Sequence, residues 1–249
     1  MVIDMNKNTK NDKSINLEFK NIDNSKKKAL KETNKYKFLP KKNIKIMILT
    51  LIKQYPNACC SLEYKNPLEL TVALILAAQS TDNMVNKIIP VLFEKYPDAN
   101  ALTNANQKDI EKIVKPCGYY RNKAKNIILT ANDIINIYGS KVPDTMESLC
   151  TLHGIGRKSS NIILQECFNK VEGIAVDTHV TRLSYRIGLS NSTAQIKIEK
   201  DLTSKVPKKY WNKLNHLFVF HGRAICDAKK PLCDECCINN ICKKNMIKN

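Results

Sequence analysis

The apolar residues of this chain recur at the spacing of an α-helix over almost the whole of residues 43–221. Residues 124–138 show the pattern well, with apolar positions at i, i+3, i+4 and i+7 and Gly139 at the end. Pro67 suits a first helical turn, and the helix predicted for residues 68–79 is apolar on nearly every side, so we expect it to be central and buried. Strand-like alternation is lacking. The sequence therefore predicts an all-α protein.

Two local signals refine the helix predictions. Pro90 interrupts an apolar helical stripe, where its missing N–H should kink the helix or split it. Asp144 followed by Glu147 resembles a capping box and predicts a helix that starts at Asp144.

The 249 residues carry a formal net charge of +18, which favours a polyanionic partner. Nucleic acid is a better candidate than a membrane, although charge alone also fits a basic protein with no such partner. The longest apolar run, residues 70–78, falls short of the roughly 18 residues of a spanning helix. The N-terminus lacks the apolar segment of a signal peptide. We expect a cytoplasmic protein, with residues 1–42 forming a disordered, Lys- and Asn-rich arm.

Four cysteines near the C-terminus follow the spacing C-x6-C-x2-C-x5-C: Cys226, Cys233, Cys236 and Cys242. In a reducing cytosol such a group predicts metal ligation rather than disulfides, and soft thiolates select zinc or an iron–sulfur cluster. Spacing alone does not separate those two. Cys237 is adjacent to Cys236 but should point elsewhere. The alternative, four structural cysteines, fits poorly with the charged residues around them.

A tight turn is predicted at His153-Gly154-Ile155-Gly156, between two helical segments. The glycines allow positive φ and close backbone approach, and amides at the start of the helix that begins at Arg157 would suit a phosphate. Such a turn also occurs as a simple connection between helices. In a basic protein it favours a helix-hairpin-helix DNA module.

Lys158 and Asp177 each have a functional and a structural interpretation. Lys158 lies in the first turn of a helix, where the dipole disfavours a cation, so a neutral amine would be available as a nucleophile; most lysines are simply exposed. Asp177 precedes an apolar helix and should be its N-cap, while a rigid carboxylate there would also stabilise positive charge. His179 and His221 are predicted to be hydrogen-bonded structural residues.

The segments LHGIGRKSSN, AVDTH, LILAAQSTD, GYYRNKAKNI and HGRAIC, together with the four-cysteine tail, resemble the endonuclease III family of DNA glycosylases. The resemblance covers residues 68–242. It implies a six-helix barrel (residues 60–170) with the hairpin at 152–158, and a second domain (43–59 plus 171–249) with a [4Fe–4S] cluster held by the loop 226–242. DNA would bind in the cleft between them.

The resemblance also implies roles for individual residues. Lys158 would be the nucleophile and Asp177 the catalytic carboxylate, acting on a base flipped out of double-stranded DNA. Gln79 would fill the gap left by that base, and the hairpin residues His153, Gly154, Gly156 and Arg157 would contact DNA. Two residues depart from the family pattern: His153 replaces a usual proline, and Tyr119 replaces a usual leucine wedge.

The expected activity is that of a monomeric glycosylase and apurinic/apyrimidinic lyase, acting on duplexes with oxidised pyrimidines or abasic sites. One alternative is a monofunctional mismatch glycosylase on the same scaffold. The presence of Lys158 and a chain that ends seven residues after Cys242 argue against it. A second alternative, a non-catalytic iron–sulfur DNA-binding protein, would need neither Lys158 nor Asp177.

Overall fold

A computed structural model describes residues 36–247, and within this range every regular element is helical. The eleven α-helices are α1 (Lys41–Gln54), α2 (Pro67–Ala77), α3 (Asp82–Lys95), α4 (Ala99–Thr103), α5 (Gln107–Val114), α6 (Tyr120–Asn136), α7 (Met146–Leu149), α8 (Arg157–Phe168), α9 (Thr178–Ile187), α10 (Gln195–Lys205) and α11 (Trp211–Ala224). Short 3₁₀ helices span Lys115–Cys117, Lys208–Tyr210 and Cys233–Glu235. The all-α prediction is confirmed.

Two separate clusters of buried apolar side chains hold these helices together. The first gathers residues between Leu62 and Ala175 around α2, whose segment Leu70–Leu76 is buried on all sides as predicted. The second unites α1 with α9, α10, α11 and Ile238 near the C-terminus. In chain order, α1 thus belongs to the second core, the helices that follow it as far as α8 belong to the first core, and α9 to α11 belong to the second core again.

Two local predictions differ from the structure. Pro90 was predicted to kink or split its helix, and the split is not seen: α3 continues through Pro90, and burial of its Val85, Ile89 and Leu92 offsets the lost backbone hydrogen bond. The N-cap of α7 is Thr145, whose hydroxyl accepts from the Ser148 amide. Asp144 is paired instead with Lys170 of another segment, at 2.6 Å.

Helix α2 also ends earlier than predicted, at Ala77. Gln79 follows in the left-handed region, with φ +53°, so the chain turns sharply just after the helix.

The predicted arm is shorter than residues 1–42, because residues 36–42 are part of the fold. Leu39 is buried, and its amide donates to the carbonyl of Gly188 at 2.8 Å. Gly188 has φ +99°, and a Cβ there would lie 2.6 Å from the Lys37 carbonyl oxygen, so this close approach requires glycine. Residues 1–35, the rest of the arm, lie outside the described residues.

None of the helices in residues 36–247 is both long and apolar enough to cross a membrane.

Candidate active site

A tight turn connects α7 to α8 and presents backbone amides to solvent. Leu152 and Ile155 are buried and anchor the turn, while Gly154 and Gly156 are exposed. Gly154 has φ +78°, and a Cβ there would lie 2.8 Å from the Asn126 amide nitrogen. Gly156 is the N-cap of α8 and no side chain caps that helix. The first amides of α8 are therefore available to an anion.

His153 is tied to α6 by two hydrogen bonds. Its Nδ1 lies 2.7 Å from Asp133 Oδ2, and its carbonyl oxygen accepts from the Thr130 hydroxyl at 2.7 Å. The sequence left open whether a histidine at this position loosens the turn. These contacts show that the turn is fastened to α6, with the imidazole still half exposed.

Arg157 is engaged by a buried carboxylate of the second core. Its Nε donates to Glu199 Oε2 at 2.6 Å and its Nη2 to Oε1 at 3.2 Å, and Asn161 donates to the same Oε1 at 3.0 Å. A Cβ on Gly173 would lie 2.0 Å from Glu199 Oε1, so the segment between α8 and α9 packs tightly against this carboxylate. The predicted DNA contact of Arg157 would therefore come from a guanidinium that is already paired.

Lys158 and Asp177 line one cavity, of about 80 Å³, between the two cores. Asp177 is the N-cap of α9, as predicted, with Oδ1 accepting from the Val180 amide at 2.8 Å. Both residues are half-buried. The other lining residues are Cys59, Cys60, Ser61, Leu62, Leu74, Ala77, Asp82, Ile162, Asn215, His216, Val219 and Arg223. The structure thus brings together the two residues predicted to be catalytic.

An ion pair between Asp82 and Arg223, at 2.7 Å, joins α3 to α11 at the wall of this cavity. The Cys60 thiol is also close to Lys158: burial raises the pKa of Cys60 to about 11, and the Lys158 charge opposes that rise. Asp82 and Arg223 fall within the motifs of the resemblance and Cys60 does not, but none of the three was singled out from sequence as a site residue.

Gln79 and Tyr119 do not line the cavity; both are exposed, in turns of the first core. Each has a left-handed backbone, with φ +53° and +48°. Between the two turns lies the buried amine of Lys123, which donates to the carbonyls of Leu76 at 2.8 Å and Cys117 at 2.7 Å. One lysine therefore fixes both turns, a role that sequence reasoning missed because a lysine in a helix is usually exposed.

Cys226, Cys233, Cys236 and Cys242 line a single small cavity of about 20 Å³, whereas Cys237 is exposed and lies outside it, as predicted. Within residues 36–247 no three His, Cys, Asp or Glu side chains converge as a single metal ion would require. Four thiols around one space are soft ligands of the kind that select zinc or an iron–sulfur cluster.

N–H groups surround three of these sulfurs. Arg186 Nη1 donates to Cys226 Sγ, His221 Nε2 lies near Cys236 Sγ, and the Lys244 amide donates to Cys242 Sγ, each at 3.4 Å. Such donors stabilise thiolates bound to a cluster. The Tyr55 hydroxyl fixes the buried His221 ring at 2.9 Å, which confirms that His221 is a hydrogen-bonded structural residue.

The chain matches the HhH-GPD superfamily of base excision DNA repair proteins over residues 72–208. The match includes the turn, Lys158 and Asp177. The fold and the site thus define the chain as a helix-hairpin-helix protein of base excision repair.

Comparison with individual relatives shows which family within this class the chain belongs to. The chain is 46% identical to endonuclease III of Synechocystis sp. (strain ATCC 27184 / PCC 6803 / Kazusa), over 79% of this chain and 90% of that protein. Identity to endonuclease III of Bacillus subtilis is 38%, over 82% and 93%. A solved trapped endonuclease III–DNA covalent intermediate is similar with a TM-score of 0.80 and 36% identity, over 84% of this chain and 98% of that one. The chain belongs to the endonuclease III family. It is a DNA glycosylase and apurinic/apyrimidinic lyase.

Proposed function

We propose that the cavity between the two cores receives an oxidised pyrimidine flipped out of duplex DNA, and that Lys158 and Asp177 act on its sugar. The juxtaposition of an amine and a carboxylate in one cavity is the observation that supports this most directly. A base within the stack cannot reach such a cavity, so flipping is required.

Lys158 is the proposed nucleophile. Its neutral amine attacks the sugar C1′, a C1′–N bond forms, and the bond from C1′ to the base breaks with its electron pair leaving on the base. Loss of the amine protons and opening of the sugar ring give a Schiff base. Removal of a C2′ proton then expels the 3′ phosphate by β-elimination, which cuts the strand 3′ to the lesion.

Asp177 is the proposed electrostatic partner of this step. Its carboxylate is held by the Val180 amide at the start of α9, so the charge is fixed before the substrate arrives. A fixed negative charge stabilises the cationic sugar that develops as the base departs.

The remaining predicted site residues are proposed to hold the duplex. The amides after Gly156 bind a phosphate, with His153 and Arg157 beside them, and Gly154 permits the close approach. Gln79 and Tyr119 project from the turns fixed by Lys123. From these turns Gln79 would enter the gap left by the flipped base, and Tyr119 would contact the opposite strand. The net charge of +18 favours such binding.

The four cysteines that share a cavity are proposed to hold a [4Fe–4S] cluster. Their softness, their arrangement and the nearby N–H donors fit that group. The cluster would cross-link the loop 226–242, beside Ile187 of α9 and His221 of α11, and so support the second domain. We assign that domain residues 43–59 plus 171–249 and the barrel domain 60–170, a division that the two apolar cores support.

Borohydride trapping tests the proposal, because borohydride reduces the Schiff base to a stable covalent adduct. We expect an adduct on duplexes that contain thymine glycol or an abasic site. Lys158→Gln should abolish it while DNA binding survives. Lys53→Gln, an equal change of charge on an exposed lysine of α1, is the matched control and should trap normally.

Absence of an adduct with the wild-type chain would instead favour a monofunctional glycosylase, provided that base is released. If neither base release nor an adduct is seen, but binding is, the chain is a non-catalytic DNA-binding protein.

A further inference from the structure

A histidine and a glutamate form a buried pair at the wall of the candidate active-site cavity. His216 is on α11, and its Nε2 lies 3.1 Å from Oε1 of Glu166 on α8. Only about 10% of the His216 side chain is exposed. The Tyr64 hydroxyl donates to the other oxygen, Oε2, at 3.3 Å. The imidazole is therefore held in one orientation by a residue of the opposite core.

The Glu166 carboxylate decides which ring nitrogen donates, because a charged carboxylate can only accept a hydrogen bond and Nε2 is the ring nitrogen next to it. Gln165 Nε2 donates to the Asn212 carbonyl at 2.7 Å and to Glu166 Oε1 at 3.1 Å. It also lies 3.2 Å from His216 Nε2, but both of its hydrogens are used. His216 Nε2–H and the Gln165 amide thus converge on one carboxylate. The His216 hydrogen bond is the main cause that lowers the pKa of Glu166, so Glu166 is the charged partner.

The other ring nitrogen, Nδ1, is the one available to a ligand. It has no hydrogen-bond partner among residues 36–247. It is also not among the fully buried atoms that lack a partner, so it is not completely shielded from solvent. His216 lines the cavity that contains Lys158 and Asp177, whereas Glu166 does not. The carboxylate therefore lies behind an imidazole that lines the cavity and whose second nitrogen has no hydrogen-bond partner among the described residues.

We propose that His216, oriented by Glu166, is a catalytic residue that in its protonated form gives its Nδ1 proton to the departing base. This inference rests on the proposed function of Lys158. As the bond between C1′ and the base breaks, its electron pair moves onto the base, and the Nδ1 proton moves to the O2 oxygen that shares this charge. The proton that the attacking Lys158 nitrogen loses returns the imidazole to its starting state, so the step balances.

Such a residue serves only the first half of the reaction. A duplex with an abasic site has no base left to protonate, and Lys158 forms its Schiff base there directly. Loss of His216 should therefore slow release of a base without slowing the reaction of an abasic site. A role limited to packing would slow both.

The experiment uses the full chain under single-turnover conditions, with one duplex containing thymine glycol and one containing an abasic site. His216→Gln keeps a polar side chain but cannot donate a proton, and should slow base release by about 100-fold. Glu166→Gln should slow it by about 10-fold. Both should trap on the abasic duplex within about twofold of wild type, and Glu172→Gln, an exposed matched control, should be normal on both.

Equal loss on both duplexes, or no loss on either, for both variants would overturn the proposal. Should His216→Gln fail to fold, Glu166→Gln decides alone by the same criterion. Failure of the proposed function gives a different result, since wild type would then form no adduct on the abasic duplex.

Discussion

Arg157 and Glu199 are joined by two hydrogen bonds, of 2.6 and 3.2 Å, across the boundary between the two apolar cores. The residue after Arg157 is Lys158, and Asn161, one turn later, binds the same carboxylate. The start of α8, where the proposed nucleophile lies, is therefore fastened to α10. Segments of the two cores alternate along the chain. The contact between α8 and α10 holds the two cores together around one cavity.

Breaking that pair should destabilise the chain. Glu199 is buried, and Glu199→Gln leaves the Arg157 guanidinium without its charge partner. The cost is limited because Arg157 is half exposed and its guanidinium is still hydrated. In a double-mutant cycle with Arg157→Gln, urea unfolding should show a coupling free energy of about 1 kcal/mol. Lys197→Gln, which removes an exposed partner of Asp201 on the same helix, should cost less. If Glu199→Gln and Arg157→Gln have additive effects on the free energy of unfolding, the two residues do not interact directly.

Lys123→Met should weaken DNA binding as well as stability. The substitution keeps the length of the side chain but leaves the Leu76 and Cys117 carbonyls unpaired, at a cost of about 2 kcal/mol. Burial already lowers the pKa of Lys123, so relief of that desolvation offsets part of the loss. Affinity for a duplex should fall because the turns with Gln79 and Tyr119 lose their common tie. Lys125→Met, on the exposed face of α6, is the stability control.

The helical class, the central α2 and the approach of Lys158 to Asp177 could be predicted because each depends on local pattern or on a motif. Apolar spacing fixes which face of a helix is buried, and an aspartate before an apolar stripe is an N-cap wherever the helix packs. The prediction for Asp144 was wrong because Thr145 offers the same capping chemistry one residue later.

The polar contacts between the cores could not be predicted. Glu199, Glu166 and His216 are ordinary helical positions in the sequence. Arg157 lies 42 residues from Glu199, and Glu166 lies 50 residues from His216, so only the fold brings these partners together. Lys123 was missed for a similar reason, since nothing local shows that its helix buries an amine.

Asp177→Asn should separate the structural role of this residue from its proposed catalytic role. Asparagine caps helices about as well as aspartate, so the free energy of unfolding should change by no more than a few tenths of a kcal/mol, whereas Asp177→Ala should cost about 1 kcal/mol. Both variants lack the negative charge and should lose base release to a similar extent. Full activity of Asp177→Asn would show that the carboxylate only caps α9.

The proposed cluster predicts unequal effects for two adjacent cysteines. Cys236→Ser removes a thiol from the cavity shared by four cysteines, and should abolish visible absorption and lower the iron and sulfide content of the purified protein. Cys237→Ser changes an exposed side chain outside that cavity and should leave both unchanged. Bound zinc without sulfide in the wild type would contradict the [4Fe–4S] assignment.

Acid sensitivity should depend on Glu166. Its pKa is lowered in the folded chain, chiefly by the His216 hydrogen bond, so the folded state binds this proton less readily than the unfolded state. The stabilisation is present above the ordinary glutamate pKa of 4.5 and is lost as pH falls through the lower, folded value. Stability measured by urea unfolding should therefore fall less steeply below pH 4.5 in Glu166→Gln than in wild type. Glu172→Gln, an exposed carboxylate, is the control. Parallel curves for wild type and Glu166→Gln would show that the pair does not hold Glu166 charged.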